Sequence, residues 1–274
     1  MASKSSACES CSKKHEHCED ECLKSLFVAR NDIKSVVAVM SGKGGVGKST
    51  VTSLLAVLMA KKGHQVGILD ADITGPSIPR MFGLKGGTVK TGPQGMEPAR
   101  TGLGIKVMSL NLILEREDEA AVWRGPMLMG VVKQFWEDVN WGPLDYLFVD
   151  LPPGTGDVPL TILQGLPLKG IILVLSPQDL AVMIVKKAIK MARLLEVPVI
   201  GLVENMAYLE CPGCGDVLHP FGKPKGQQVS METGIPLLAT LPIQSQISIL
   251  GDQGKIEILE SGVFSGIVAQ LEDL

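Results

Sequence analysis

Aromatic residues are scarce in this chain, at 4% of 274 residues. Its core must therefore be built from Val, Ile, Leu and Met, which suits strands covered on both faces. No apolar run approaches the roughly 18–20 residues that a membrane span needs. The first residues carry Cys, Lys and Glu without an apolar centre, which is not a signal-peptide pattern and implies a cytoplasmic protein. There is no excess of basic charge: the formal net charge is −3, with no long Lys/Arg block, so non-specific nucleic-acid binding is not indicated. Cysteines are not scattered. All six fall in two groups, Cys8, Cys11, Cys18 and Cys22, then Cys211 and Cys214, a clustering that reads as metal or cluster ligation rather than as a disulfide framework.

What is present centres on residues 36–58, VVAVMSGKGGVGKSTVTSLLAVL. A short β-branched run breaks into glycines and then into an apolar periodic segment, which reads as strand, loop, helix. The loop fits G-x-x-x-x-G-K-[ST], with Gly42, Lys43, Gly44, Gly45, Val46, Gly47, Lys48, Ser49 and then Thr50. Glycines let successive backbone N–H groups curl around a phosphate chain, and the helix that follows aims its positive end at the same anion. Lys48 can reach the β- and γ-phosphates, and Ser49 can offer its hydroxyl to Mg²⁺.

The rest of the chain reads as alternating strands and helices. Residues 66–72, VGILDAD, form a second buried strand ending in acids. Asp72 is assigned to catalysis and Asp70 to structure. Residues 83–104 are Gly-rich and read as a surface hairpin, and 105–110 as a strand. A helix starts near Arg124 and Pro126 and runs to about residue 139. Residues 145–150, DYLFVD, are a strand whose terminal Asp150 would orient Mg²⁺ opposite Ser49. The Pro-Pro-Gly loop behind it reads as a switch, with the Gly154 N–H available to a γ-phosphate. Asp157 reads as the cap of the next helix. Further strands are expected at 170–176, 197–204 and 237–241, and helices at 179–195 and 264–274. Asn205 either reads an adenine edge, offering a donor and an acceptor, or is a turn residue.

Residues 1–34 form a polar cysteine arm ahead of an ATPase domain at 35–274. The arm holds C-x2-C-x6-C-x3-C, with His15 and His17 in the long gap. Four thiolates can hold a 4Fe–4S cluster, Cys with His can hold zinc, and an arm with reactive thiols is the remaining reading. Cys211-Pro212-Gly213-Cys214 is half of a four-thiolate set. A symmetric dimer would complete it on the two-fold axis; the rivals are a redox dithiol and a zinc knuckle using His219.

SGKGGVGKST, LDADITGPSIPRMFG, WRGPM, YLFVDLPPGTGD and CPGCG together resemble the Mrp/ApbC-type iron–sulfur carrier ATPases, a branch of the MinD/ParA group with a deviant Walker A motif. The resemblance implies a Rossmann-like α/β fold, doubly wound around a mostly parallel sheet of about seven or eight strands. It implies an ATP-sandwich homodimer, or a heteromer, in which Lys43 crosses to the partner's nucleotide, Asp72 positions the attacking water and Asn205 reads adenine. It implies a labile 4Fe–4S cluster between two Cys211/Cys214 pairs, passed to apo-proteins under the control of ATP, and an ATPase of slow turnover. The N-terminal cysteines resemble the extra motif of members that bind a second cluster, with a different spacing. Gln244 stands where an acid is common, so no adenine role is carried onto it. The alternatives are a positioning ATPase and an electron-transferring reductase similar to the nitrogenase iron protein.

Overall fold

The computed structural model describes residues 32–72, 75, 77–92, 95–113, 125–260 and 265–272. Cys8, Cys11, Cys18, Cys22 and Arg124 lie outside the described residues. The strands are β1 (Ile33–Ser41), β2 (Val66–Asp70), β3 (Lys90–Gly92), β4 (Gly95–Glu97), β5 (Ala99–Arg100), β6 (Lys106–Met108), β7 (Leu144–Asp150), β8 (Leu168–Leu175), β9 (Val199–Glu210), β10 (Val217–Leu218) and β11 (Leu237–Pro242). The helices are α1 (Lys48–Lys61), α2 (Ile78–Met81), α3 (Gly125–Glu137), α4 (Asp157–Gly165), α5 (Asp179–Leu194), α6 (Gly226–Thr233), α7 (Ser245–Asp252) and α8 (Ser265–Glu272).

One nine-stranded sheet runs β10-β9-β8-β1-β7-β2-β6-β5, with β11 also on β9. Every pairing among β11, β9, β8, β1, β7, β2 and β6 is parallel. That parallel core matches the expected strand count. The two-residue additions β5 and β10 pair antiparallel and were not anticipated, because two residues carry no periodicity. The expected hairpin in 83–104 is β3 against β4.

Alternation along β1 divides the core in two. Val36, Ala38 and Met40 face α3, α4, α5 and α6; Val37 and Val39 face α1, α7 and α8. The few buried aromatics divide evenly, with Phe135, Trp136 and Trp141 on the first face and Phe82, Tyr146 and Phe148 on the second. The strand order reverses at β1, between β8 and β7. Crevices beyond strand carboxyl ends at such reversals are where open α/β sheets bind ligands. No helix among the described residues is long and apolar enough to cross a membrane.

Two boundaries differ from the sequence reading. β9 does not stop at Glu204 but continues to Glu210 through Met206, whose φ is 58°. Asp157 is not a cap: Gly156 occupies that position, and Asp157 is the first helical residue of α4. A carboxylate there still meets the positive end of the helix.

Candidate nucleotide and cysteine sites

β1 delivers the chain to the sheet's upper edge at Ser41, and α1 begins at Lys48. The turn between them needs left-handed backbone at Gly45 (φ 78°) and Gly47 (φ 80°), which a Cβ disfavours. Space also excludes a side chain. A Cβ on Gly42 would sit 2.7 Å from Ile184 Cγ2, and one on Gly47 would overlap the Asn205 amide nitrogen. The loop is thus a glycine cradle closed from behind by α5 and β9.

Behind the cradle lies a buried charge network. Lys48 Nζ is 2.7 Å from Asp150 Oδ2 and 3.5 Å from Asp72 Oδ2. Ser49 Oγ donates to the same Asp150 oxygen at 2.6 Å, and Thr52 Oγ1 donates to Asp150 Oδ1 at 2.7 Å. Asp150 is 0% exposed and Lys48 6%. Asp70, also buried, accepts from the Asp72 N–H at 3.2 Å and from Ser109 Oγ at 3.0 Å. Burial first, then the nearby Asp150 charge, pushes the Asp70 carboxyl well above the usual carboxylate range. Two acids, Asp150 and Asp72, thus share one buried lysine, with Asp70 beside them. Such a site accommodates a divalent cation on the Ser49–Asp150 side and a phosphate on the Lys48 side.

The remaining cradle contacts involve groups that the sequence reading placed elsewhere. The Gly154 N–H (φ 93°) donates to the Ser41 carbonyl at 2.9 Å. Asn205 donates its side-chain amide to the Val46 carbonyl at 2.9 Å. Lys43 Nζ donates to the Gln178 side-chain carbonyl within the same chain. A cleft of about 310 Å³ beside Thr50 is lined by Arg80, Met81, Ile247 and Ser248.

Cys211 and Cys214 sit at the tip of a hairpin between β9 and β10. The Cys211 N–H donates to Asp216 O at 2.9 Å and the Gly215 N–H to Cys211 O at 2.8 Å. Neither cysteine is in a disulfide, and Cys214 is exposed. Backbone N–H groups of Cys214 and Gly213, then the Cys214 side chain, hold the Cys211 thiol below the ordinary thiol range. Cys214 Sγ lies 3.2 Å from Asp216 Oδ2. His219, the rival zinc ligand, has Nδ1 3.2 Å from the Ala207 carbonyl. Among the described residues no cluster of three or more His, Cys, Asp or Glu side chains is placed to hold a metal ion. The hairpin therefore offers two thiol ligands, with no third ligand among the described residues.

Residues 32–271 match the ParA-group family of NUBPL iron-transfer P-loop NTPases. The chain belongs to that family. It is 44% identical over 276 residues to the iron–sulfur cluster carrier protein of Clostridium perfringens, covering 94% of this chain and 97% of the relative. It is 42% identical over 238 residues to the cytosolic Fe–S cluster assembly factor CFD1 of Eremothecium gossypii, covering 84% and 82%. Among solved structures, a nucleotide-binding protein of Archaeoglobus fulgidus in complex with ADP, with cobalt found, superposes with a TM-score of 0.78 at 46% identity, covering 90% and 96%. The cell-division protein MinD of Aquifex aeolicus shares the fold, with a TM-score of 0.58 at 17% identity over 87% and 95%.

In this NUBPL-type chain, four contacts around the site escaped the sequence reading. They come from Thr52, Ser109, Gln178 and Glu204. Thr52 left a trace, as a hydroxyl within an otherwise apolar helix face, three residues past Ser49. Ser109 and Gln178 left none, because their partners lie 39 and 135 positions away. Glu204, fully buried, accepts the Lys225 and Gly226 N–H groups at 2.6 and 3.0 Å and so fixes the start of α6.

Proposed function

We propose that the chain binds and hydrolyses ATP and, as a homodimer or with a related subunit, holds a 4Fe–4S cluster between two Cys211/Cys214 pairs for delivery to apo-proteins. One observation carries the reading. A complete phosphate cradle and half of a four-thiolate site lie on the same protein, the cysteines directly following a strand that packs against the cradle. The names of its relatives, which include cluster carriers and a cytosolic assembly factor, support it and favour the cytoplasm as the place of action.

In this reading residues 42–50 embrace the phosphates. Ser49 and Asp150 are the pair that would hold Mg²⁺, which when bound neutralises charge on the β- and γ-phosphates. Lys48 exchanges an aspartate partner for a phosphate. Asp72, beside Lys48, orients the attacking water. Lys43 leaves Gln178 to reach the partner's nucleotide, Asn205 meets the adenine, and the Gly154 N–H leaves Ser41 to meet the γ-phosphate. In an N-terminal arm ahead of β1, which begins at Ile33, Cys8, Cys11, Cys18 and Cys22 hold a second 4Fe–4S cluster or zinc.

Cys211→Ala tests the bridging site. Anaerobic reconstitution of the variant should lose the iron and sulfide of one cluster per dimer, while ATP affinity stays that of the unaltered chain. Full iron content in the variant would overturn the assignment.

A further inference from the structure

β9 touches both sites, and its geometry between them is irregular. Val46 and Gly47, at the end of the cradle, rest on Asn205 and Met206. Asn205 donates to the Val46 carbonyl at 2.9 Å, and the Met206 methyl carbon lies 3.6 Å from where a Gly47 Cβ would stand. Met206 itself is left-handed, with φ 58°. A left-handed L-residue is strained, and such outliers persist where the surroundings impose them.

The pairing with β11 shows the extra length. Thr240 pairs with Glu204 and the next registered pair is Pro242 with Tyr208, so β9 uses two more residues than its neighbour. Asn205, Met206 and Ala207 form this bulge. Beyond it the chain is stiff. The Tyr208 carbonyl accepts the Ile243 N–H at 2.6 Å, Leu209 and Glu210 pair with β10, and Cys211 follows at once. The Ala207 carbonyl, 3.2 Å from His219 Nδ1, ties the bulge to the return side of the hairpin as well. Before it, Glu204 is locked to the start of α6. The slack in β9 is thus confined to three residues, one end against the phosphate cradle and the other against the cysteine hairpin.

Resting on the carrier reading above, we propose that the Asn205–Met206–Ala207 bulge transmits occupancy of the phosphate cradle to the Cys211/Cys214 hairpin, with Met206 as its positioning residue. A shift of Val46 and Gly47 around a phosphate chain moves Asn205 and Met206 with them. Bulges absorb such shifts by changing the twist of the strand beyond, and here the strand beyond ends in Cys211. The hairpin turns as a closed unit, changing how its two sulfurs face those of a partner.

The test uses the full, metal-free chain and N-ethylmaleimide, with labelling of Cys211 and Cys214 resolved by peptide mass spectrometry. Magnesium with a non-hydrolysable ATP analogue should change the labelling rate of these cysteines about fivefold, at the low end of coupling between distant sites. Met206→Gly relaxes the left-handed residue and removes the methyl under Gly47. It should still bind the analogue and unfold cooperatively, but lose the response. Met206→Leu should retain it. A Met206→Gly chain that responds in full, or an unaltered chain that binds the analogue without any response, overturns the proposal and leaves the carrier reading standing. An unaltered chain that fails to bind the analogue overturns both. Because the readout needs no cluster, failure of reconstitution at Cys211 does not bear on it.

Discussion

The phosphate cradle and the cysteine hairpin differ in how much of their chemistry a single copy contains. The cradle's described contacts close within one chain. Its glycines are closed by α5 and β9, and its lysine, serine and acids already form a hydrogen-bonded set with Asp150 fully buried. The hairpin is an exposed tip with two sulfurs and no third ligand among the described residues. A buried site must satisfy its polar groups internally or lose stability, so its partners are visible in the monomer. An exposed site has no such requirement and can leave half its ligands to another molecule. The difference teaches that the described part of one chain closes the contacts of the phosphate cradle, whereas at Cys211 and Cys214 it supplies only two sulfurs.

The sharpest way to break this contrast is at Lys48. Lys48→Gln keeps an amide donor near Asp150 and so spares the fold better than alanine, which would leave a buried carboxylate uncompensated at a cost of about 3–5 kcal/mol. It removes the positive charge that would meet the phosphates. Phosphate release should fall at least ~100-fold, the effect of deleting one preorganised charge-stabilising group, while reconstituted iron per chain stays unchanged. Hydrolysis at the original rate would mean that the cradle is not where the chemistry occurs. A parallel loss of iron would mean that the two sites are not separately assembled.

Smaller effects separate strain from contact inside the cradle. Gly45 and Gly47 share nearly the same φ, 78° and 80°. A Cβ on Gly45 meets nothing within 4 Å, whereas one on Gly47 collides with Asn205. Gly45→Ala should therefore bear only the left-handed penalty of about 1–2 kcal/mol. Gly47→Ala should bear that and displace Asn205, weakening nucleotide binding by at least about tenfold more than Gly45→Ala, as read by nucleotide titration. Equal losses would show that Asn205 yields freely and that β9 does not brace the cradle.

The same contrast explains how much of the molecule the sequence displays. Residues 42–50 were legible because glycine spacing, a following helix and the G-K-S run all obey local rules. The parallel strands were legible as apolar runs, and their order around β1 follows from the doubly wound fold. The β9 bulge was not. Glu204-Asn205-Met206 looks like a strand end, since a polar pair after an apolar run normally leaves the sheet. The strand continues because Glu204 finds the N–H groups of Lys225 and Gly226, and Asn205 finds Val46. Both partners are tertiary. Gln178 holding Lys43 was hidden for the same reason. Ligand count at the hairpin was legible in a different sense: C-P-G-C states two sulfurs, and the described residues bring no others to them.

The mildest test asks whether Asp70 belongs to the cradle's charge set or merely lies beneath it. Its carboxyl is pushed above the ordinary range by burial and by Asp150, against a smaller attraction from Lys48. A raised carboxyl binds a proton more readily in the folded chain than in the unfolded one. Its contribution to stability is therefore most favourable below the unfolded pKa of 3.8 and diminishes as pH rises through the folded value. Asp70→Asn cannot ionise; its Oδ1 can still accept the Asp72 N–H, and its amide N–H₂ then faces Ser109 Oγ as a donor. The variant should gain on the unaltered chain as pH rises, read as a Tm difference that opens between acid and neutral pH. The difference should vanish in acid. A variant less stable at neutral pH would reverse the ranking of causes. Lys48 would then be held by Asp70 as well as by Asp150 and Asp72, and its release to a phosphate would have to overcome three carboxylates rather than two.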